Sequence, residues 1–117
     1  MGRKARRSLE AARLLLAKGH LDEAASRFYF SIFQAGIHAL AKEGRRPSDF
    51  RPGAAYWEHR TVLRHAASIR GRAEDEDLFR RAMELRLKAD YDPTSVRRWE
   101  VEFLRRDLER FVLEAIP

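Results

Sequence analysis

Apolar residues recur every three or four positions along five stretches of this chain, and no stretch alternates apolar and polar residues for the length of a strand. The spacing predicts an all-α fold, a four- to five-helix up-and-down bundle, as a single domain over residues 1–117. A first helix is expected from about Arg3 to Lys18, where Leu9, Ala12 and Leu16 share a face and Gly19 supplies a stop. A second follows a very short turn, from about Leu21 to Lys42, and Gly44 ends it. A polar, proline-containing loop covers Glu43 to Gly53, and a third helix is expected over about Ala54 to Arg70. The fourth starts within Glu74-Asp75-Glu76-Asp77, acids that read as a charged helix start at the positive end of the dipole. It runs through Leu78, Ala82 and Leu85 to the region of Arg86. Pro93 and Thr94 are expected to open the fifth, since proline is tolerated in a first turn. Its buried stripe is Val101, Leu104, Leu108, Phe111 and Ala115.

The second helix carries two adjacent apolar stripes. Phe28, Ile32, Ala35 and Ala39 form one; Tyr29, Phe33, Gly36 and Leu40 form the other. A helix apolar around most of its circumference belongs at the centre of a bundle. Arg27, Ser31, Gln34 and His38 nevertheless make a narrow polar stripe on it. These four either satisfy one another and reach the surface, or line a cleft or a subunit contact, because buried polar groups need partners. In the second case Arg27 and Arg86 converge on one anion, a ligand that the planar arginine fork suits. The excess apolar surface of this helix also motivates a homodimer, with the two Arg86 regions near a shared cleft.

The stretch Arg86-Leu87-Lys88-Ala89-Asp90-Tyr91, followed by Asp92-Pro93, places a guanidinium, a carboxylate and a phenol at a helix end. Arg86 and Asp90 lie four apart, close enough to pair on one helical face. One reading is an ion pair that finishes the helix, with Tyr91 at the edge of the core. The other is a ligand-binding set of Arg27, Arg86, Asp90 and Tyr91, suited to an anion, a nucleotide or a partner.

Composition narrows the chemistry. The chain has no cysteine, which excludes disulfides, thiolate metal sites and cysteine nucleophiles and suits a reducing cytoplasm. No apolar run approaches the ~20 residues of a membrane span. The net charge of +6 leans toward nucleic acid, nucleotide or an acidic protein. The four histidines, His20, His38, His59 and His65, include no pair at the spacing of a helical metal site, so neither metal nor cofactor is expected. His59 is a candidate general base or a structural histidine. Arg3-Lys4-Arg6-Arg7 is either a phosphate contact or an exposed helix start, and Arg97-Arg98 and Arg105-Arg106 read as solvated faces.

Three pieces of the sequence carry a family likeness. The first is Ala12-x2-Leu15-x3-Gly19-x4-Ala24, running into Ala25-Ser26-Arg27-Phe28-Tyr29-Phe30-Ser31-Ile32-Phe33-Gln34-Ala35. The second is His59-x2-Val62, and the third is Arg86-x3-Asp90-Tyr91, which looks like an Arg-x-x-Ala-Asp-Tyr signature. In this order, in an all-helical chain of this length, they resemble the HEPN domain family in its minimal single-domain prokaryotic form. The resemblance implies a helical bundle, usually homodimeric, with the motif region near a cleft. It also implies a nucleotide- or RNA-binding role, or a partner role beside a minimal nucleotidyltransferase in a module of the toxin–antitoxin type. Tyr91 would then be a docking or nucleotide-modification point. Many toxins of this family are metal-independent ribonucleases that use Arg-x4-6-His. This chain departs there: Tyr91, Asp92 and Pro93 follow the motif, and no histidine occurs after His65. The departure weighs against an enzyme and leaves Arg86 and His59 as the catalytic candidates of a rearranged site.

Overall fold

A computed structural model of the chain describes residues 1–70 and 73–116, and all its regular elements are helical. They are α1 (Gly2–Ala17), α2 (Leu21–Lys42), a 3-10 turn at Pro47–Asp49, α3 (His59–Arg70), α4 (Ala73–Tyr91) and α5 (Arg98–Ala115). The central place expected for α2 is where it lies. α1, α3, α4 and α5 all pack on it, and around it α1 meets α5, α5 meets α4, and α4 meets α3. Both apolar stripes are thereby covered within one chain: Phe28, Tyr29, Ile32, Ala35 and Leu40 are each buried to 1% exposure or less. Phe30, on the same helix, stays partly exposed.

Local chemistry explains the boundaries. Gly19 takes φ +81°, the left-handed conformation that turns α1 into α2 after a single residue more. At Gly36 the requirement is space: a Cβ there would lie 2.9 Å from Val62 Cγ1 and 3.3 Å from Ala66 Cβ on α3. The missing side chain lets α3 approach closely enough for its first residue, His59, to reach α2. Gly36→Ala would gain helix propensity of ~0.5–1 kcal/mol, against an overpacking cost of about 1–3 kcal/mol. A net loss of stability is expected by urea denaturation, since Val62 is fully buried and branched at Cβ. Wild-type stability or better would show that α3 gives way freely at this crossing.

Three expectations are corrected. α3 begins at His59 and not near Ala54. Residues 54–58 stay irregular while Trp57 packs on Phe50, Arg45 covers the Phe50 ring at 4.6 Å, and Arg51 pairs with Glu58 at 2.8 Å. α5 begins at Arg98 and not at Pro93. Asp92 Oδ1 accepts the Thr94 N–H at 2.8 Å, and Asp22 Oδ1 of α2 accepts the Val96 N–H at 2.8 Å, holding the segment off the helix. The Arg97 N–H then donates to Glu100 Oε1 at 3.0 Å, which caps α5. Finally, Asp75 is more than a charged helix start. Its carboxylate is fully buried and lies 3.2 Å from Arg110 of α5, while its neighbours Glu74, Glu76 and Asp77 are exposed.

Candidate functional site

The sharpest concentration of polar groups against the core lies where α2, the start of α3 and the end of α4 meet. Tyr29 is buried at 0% exposure, and its hydroxyl lies 2.6 Å from His59 Nδ1. The His59 ring stacks on Phe33, with centroids 4.0 Å apart and planes 11° from parallel. From α4, the Arg86 guanidinium sits over Tyr29 and Phe30 at 5.3 Å from each centroid, a cation–π arrangement. Arg86 Nε approaches Asp90 Oδ2 at 3.3 Å, an ion pair not aligned as a hydrogen bond. Asp90 Oδ1 accepts from the Ser26 hydroxyl of α2 at 2.9 Å. Ser26 and Asp90 thus pin the end of α4 to α2, and the arginine side chain, 21% exposed, is held against the rings.

The protonation states follow from this packing. Burial pushes the Tyr29 phenol up to about 12, with Arg86 pulling the other way, so it keeps its proton at neutral pH. Burial, then the Arg86 charge, holds His59 below the ordinary histidine value, so it is neutral there. Among the described residues the Tyr29 hydroxyl has one partner, His59 Nδ1. A buried hydroxyl must donate, so we assign the O–H to Tyr29 as donor and Nδ1 as acceptor. His59 then carries its own proton on Nε2. In that tautomer it offers a hydrogen-bond donor beside Arg86 and has no free lone pair with which to act as a base.

His65, packed on Phe50 with centroids 4.5 Å apart, is also held low, by burial and then by Arg64 and Arg45. The linkage sign is the same for both histidines. The unfolded chain takes up protons near the ordinary value of about 6.5, while the folded chain resists until lower pH. Their contribution is complete above about 6.5 and is lost as pH falls from there through the folded values. The urea midpoint is expected to drop between about pH 7.5 and 5.5, and a His59→Gln/His65→Gln double variant to show a smaller drop. The lowered carboxylates Asp77 and Glu100 act only below the ordinary carboxylate range and do not confuse this window. A midpoint flat across the window would contradict the assignment.

Arg86, Asp90 and His59 are therefore brought together, and Arg27 and Tyr91 are not joined to them. Arg27 is exposed, and among the described residues no hydrogen bond or ion pair ties it to the cluster. Two other members of its polar stripe, Gln34 and His38, face α1, and Ser31 bonds within α2. Ser8 donates to Gln34 Oε1 at 2.7 Å, Ser31 donates to the Phe28 carbonyl at 2.6 Å, and His38 Nδ1 lies near Gly2. Tyr91 is 75% exposed at the last residue of α4. The partners that sequence reasoning missed are Tyr29, Phe30, Phe33 and Ser26. A phenol inside an apolar stripe, whose hydroxyl must find a partner, is the one signal that pointed to Tyr29. Among the described residues no group of three or more His, Asp or Glu could hold a metal ion. None of the described helices is long and apolar enough to cross a membrane.

Fold and cluster together define a helical bundle that presents an arginine and a histidine on the aromatic rings of its central helix. The chain belongs to the HEPN domain family, whose pattern matches residues 2–115. In fold it is similar to a Sulfolobus solfataricus protein of known crystal structure, with a TM-score of 0.78 at 20% identity, over 97% of this chain and 93% of that one. No curated protein matches it.

Proposed function

We propose that this chain is a nucleotide- or RNA-binding HEPN subunit, and that it binds phosphate with Arg86 and His59. The observation that carries the reading is the state of those two side chains. The Arg86 fork is fixed over Tyr29 and Phe30, has Asp90 as its one ion-pair partner among the described residues, and reaches solvent along its edge. His59 sits on the same rings, and in the tautomer assigned above its Nε2, the nitrogen not bonded to Tyr29, carries the proton. Two fixed donors beside partly exposed aromatic surface suit a phosphate with an attached base. Asp90 acts here as the group that orients Arg86.

The reading extends to a two-component module with a minimal nucleotidyltransferase and to a homodimer. Membership of the HEPN family supports the first, and exposed Tyr91 at the end of α4 is the residue a transferase would meet. Ribonuclease chemistry is the less favoured reading, because the tautomer that satisfies Tyr29 removes the base that attack by a 2′-hydroxyl requires. The test is incubation of purified protein with short single-stranded RNA, with and without EDTA. Binding without shortening of the RNA is expected. Cleavage that vanishes in both Arg86→Ala and His59→Ala would overturn the non-catalytic reading.

A further inference from the structure

We propose that the groove between α3 and α4 holds the second nucleotide of a single strand whose first phosphate sits on Arg86 and His59, with Arg60 and Arg64 as the contacts to that second nucleotide. The inference rests on the nucleotide reading above and deepens it: the ligand is a short strand and not a free nucleotide.

The groove has a volume of about 310 Å³, within the ~300–1,000 Å³ of small-ligand sites. Its floor is apolar. Leu63 of α3 and Phe79 of α4 are buried, and Met83 is half-buried. Its rim carries Arg60, Arg64, Arg80 and Glu76, all exposed. Guanidiniums above an apolar floor suit an anion with a flat, apolar body. A nucleotide has that form. The planar arginine fork binds phosphate and also stacks on bases, and a methionine sulfur packs favourably on an aromatic ring.

The rim arginines are not alike. Arg80 is committed to Asp77 at 2.5 Å and to Glu84 at 3.0 Å. Arg60 and Arg64 have no hydrogen bond or ion pair among the described residues. They lie four apart on α3, where like charges repel, and an anion between them relieves that repulsion. Glu76 is the one carboxylate of the rim. It stands ten residues before Arg86 on α4, so the end of the groove nearer Arg86 is basic.

The groove also continues the Arg86 site. Arg86 and His59 meet at the Phe30 ring. On α3, Arg60 directly follows His59, and Leu63 lies one turn beyond it on the same face. On α4, Met83 lies three residues before Arg86, again on the same face. At the helical rise, Arg64 stands ~7.5 Å beyond His59 and Arg80 ~9 Å from Arg86 along their helix axes. These steps are comparable with the distance between successive phosphates of an extended strand. A strand held by its first phosphate at Arg86 and His59 thus brings its second phosphate to Arg60 and Arg64, and its second base over Leu63 and Met83.

Isothermal titration calorimetry with AMP and with the dinucleotide pApA tests this. The second ligand keeps the terminal phosphate of the first and adds one phosphate and one base. Wild type is expected to bind pApA at least ~10-fold more tightly than AMP, the gain of one further stacked base. Arg60→Ala/Arg64→Ala should lose that gain. At physiological salt, which screens the longer-range charge effect, it should bind AMP as wild type does. Both side chains are exposed, so its melting temperature should match the wild-type value. Arg86→Ala should weaken both ligands. If AMP binds in an Arg86-dependent way but pApA binds no more tightly, or if the double variant keeps the gain, the groove proposal is overturned and the Arg86 reading stands. If wild type binds neither ligand, both are overturned.

Discussion

Phe28→Ala is expected to lower the unfolding free energy by about 3–5 kcal/mol, which is a large part of the ~5–15 kcal/mol that holds a domain folded. Phe28 is 1% exposed, on the helix that every other helix touches. Alanine there removes the ring and leaves a cavity in the core. Collapse around it is restricted, because any shift of α2 disturbs four packing surfaces at once. Ile32, one turn further along the same stripe and fully buried, should behave similarly, toward the lower end of the range. Urea denaturation followed by circular dichroism reads both. A loss below ~1 kcal/mol for Phe28→Ala would mean that α2 is not the centre of the bundle.

How much of this was legible beforehand varies with the range of the interactions. α2 was readable to its ends because its two apolar stripes are continuous and a positive-φ glycine lies just beyond each end, Gly19 and Gly44. The α5 stripe was readable for the same reason, although its first turn was not. The capping bond from the Arg97 N–H to Glu100 is local, but the bond that holds Val96 off the helix comes from Asp22, 74 residues away. The start of α3 was hidden by a small aromatic cluster, Phe50 with Trp57 and His65, which no periodicity announces.

The site divides in the same way. The Arg86–Asp90 pair follows from a four-residue spacing and is present at 3.3 Å. The Tyr29–His59 bond joins positions 30 residues apart on different helices, and only packing reveals it. Arg27 shows the reverse failure. Its place in a polar stripe suggested convergence with Arg86, but Gln34 and His38 of that stripe turn toward Ser8 and Gly2 on α1.

Arg86→Ala is expected to weaken the binding of nucleotide or short RNA by roughly 10- to 100-fold, because charge-assisted contacts contribute ~1.5–3 kcal/mol each. The slope of affinity against salt should fall by about 0.7 for the one phosphate contact removed from a single strand. Arg86→Lys separates charge from shape. It keeps the positive charge, and so most of the salt slope, but loses the fork that lies over Tyr29 and Phe30. Its affinity should fall between those of wild type and Arg86→Ala. The pair with Asp90 and the two ring contacts also stabilise the end of α4, so the melting temperature of each variant sets the temperature of the binding assay. Fluorescence anisotropy with a labelled RNA gives affinity and slope in one titration series. Equal affinity for all three proteins would remove Arg86 from the site.

The central claim is that Arg86 and the Nε2 proton of His59 serve one anion. Nitrogen-15 NMR of the His59 ring tests it most directly, since the two ring nitrogens have distinct shifts in each tautomer. The free protein near neutral pH should show His59 neutral and protonated on Nε2. Adding a nucleoside monophosphate should move the Nε2 resonance in wild type and leave it unmoved in Arg86→Ala. A ring protonated on Nδ1, or an Nε2 signal indifferent to phosphate in the wild-type protein, would contradict the account.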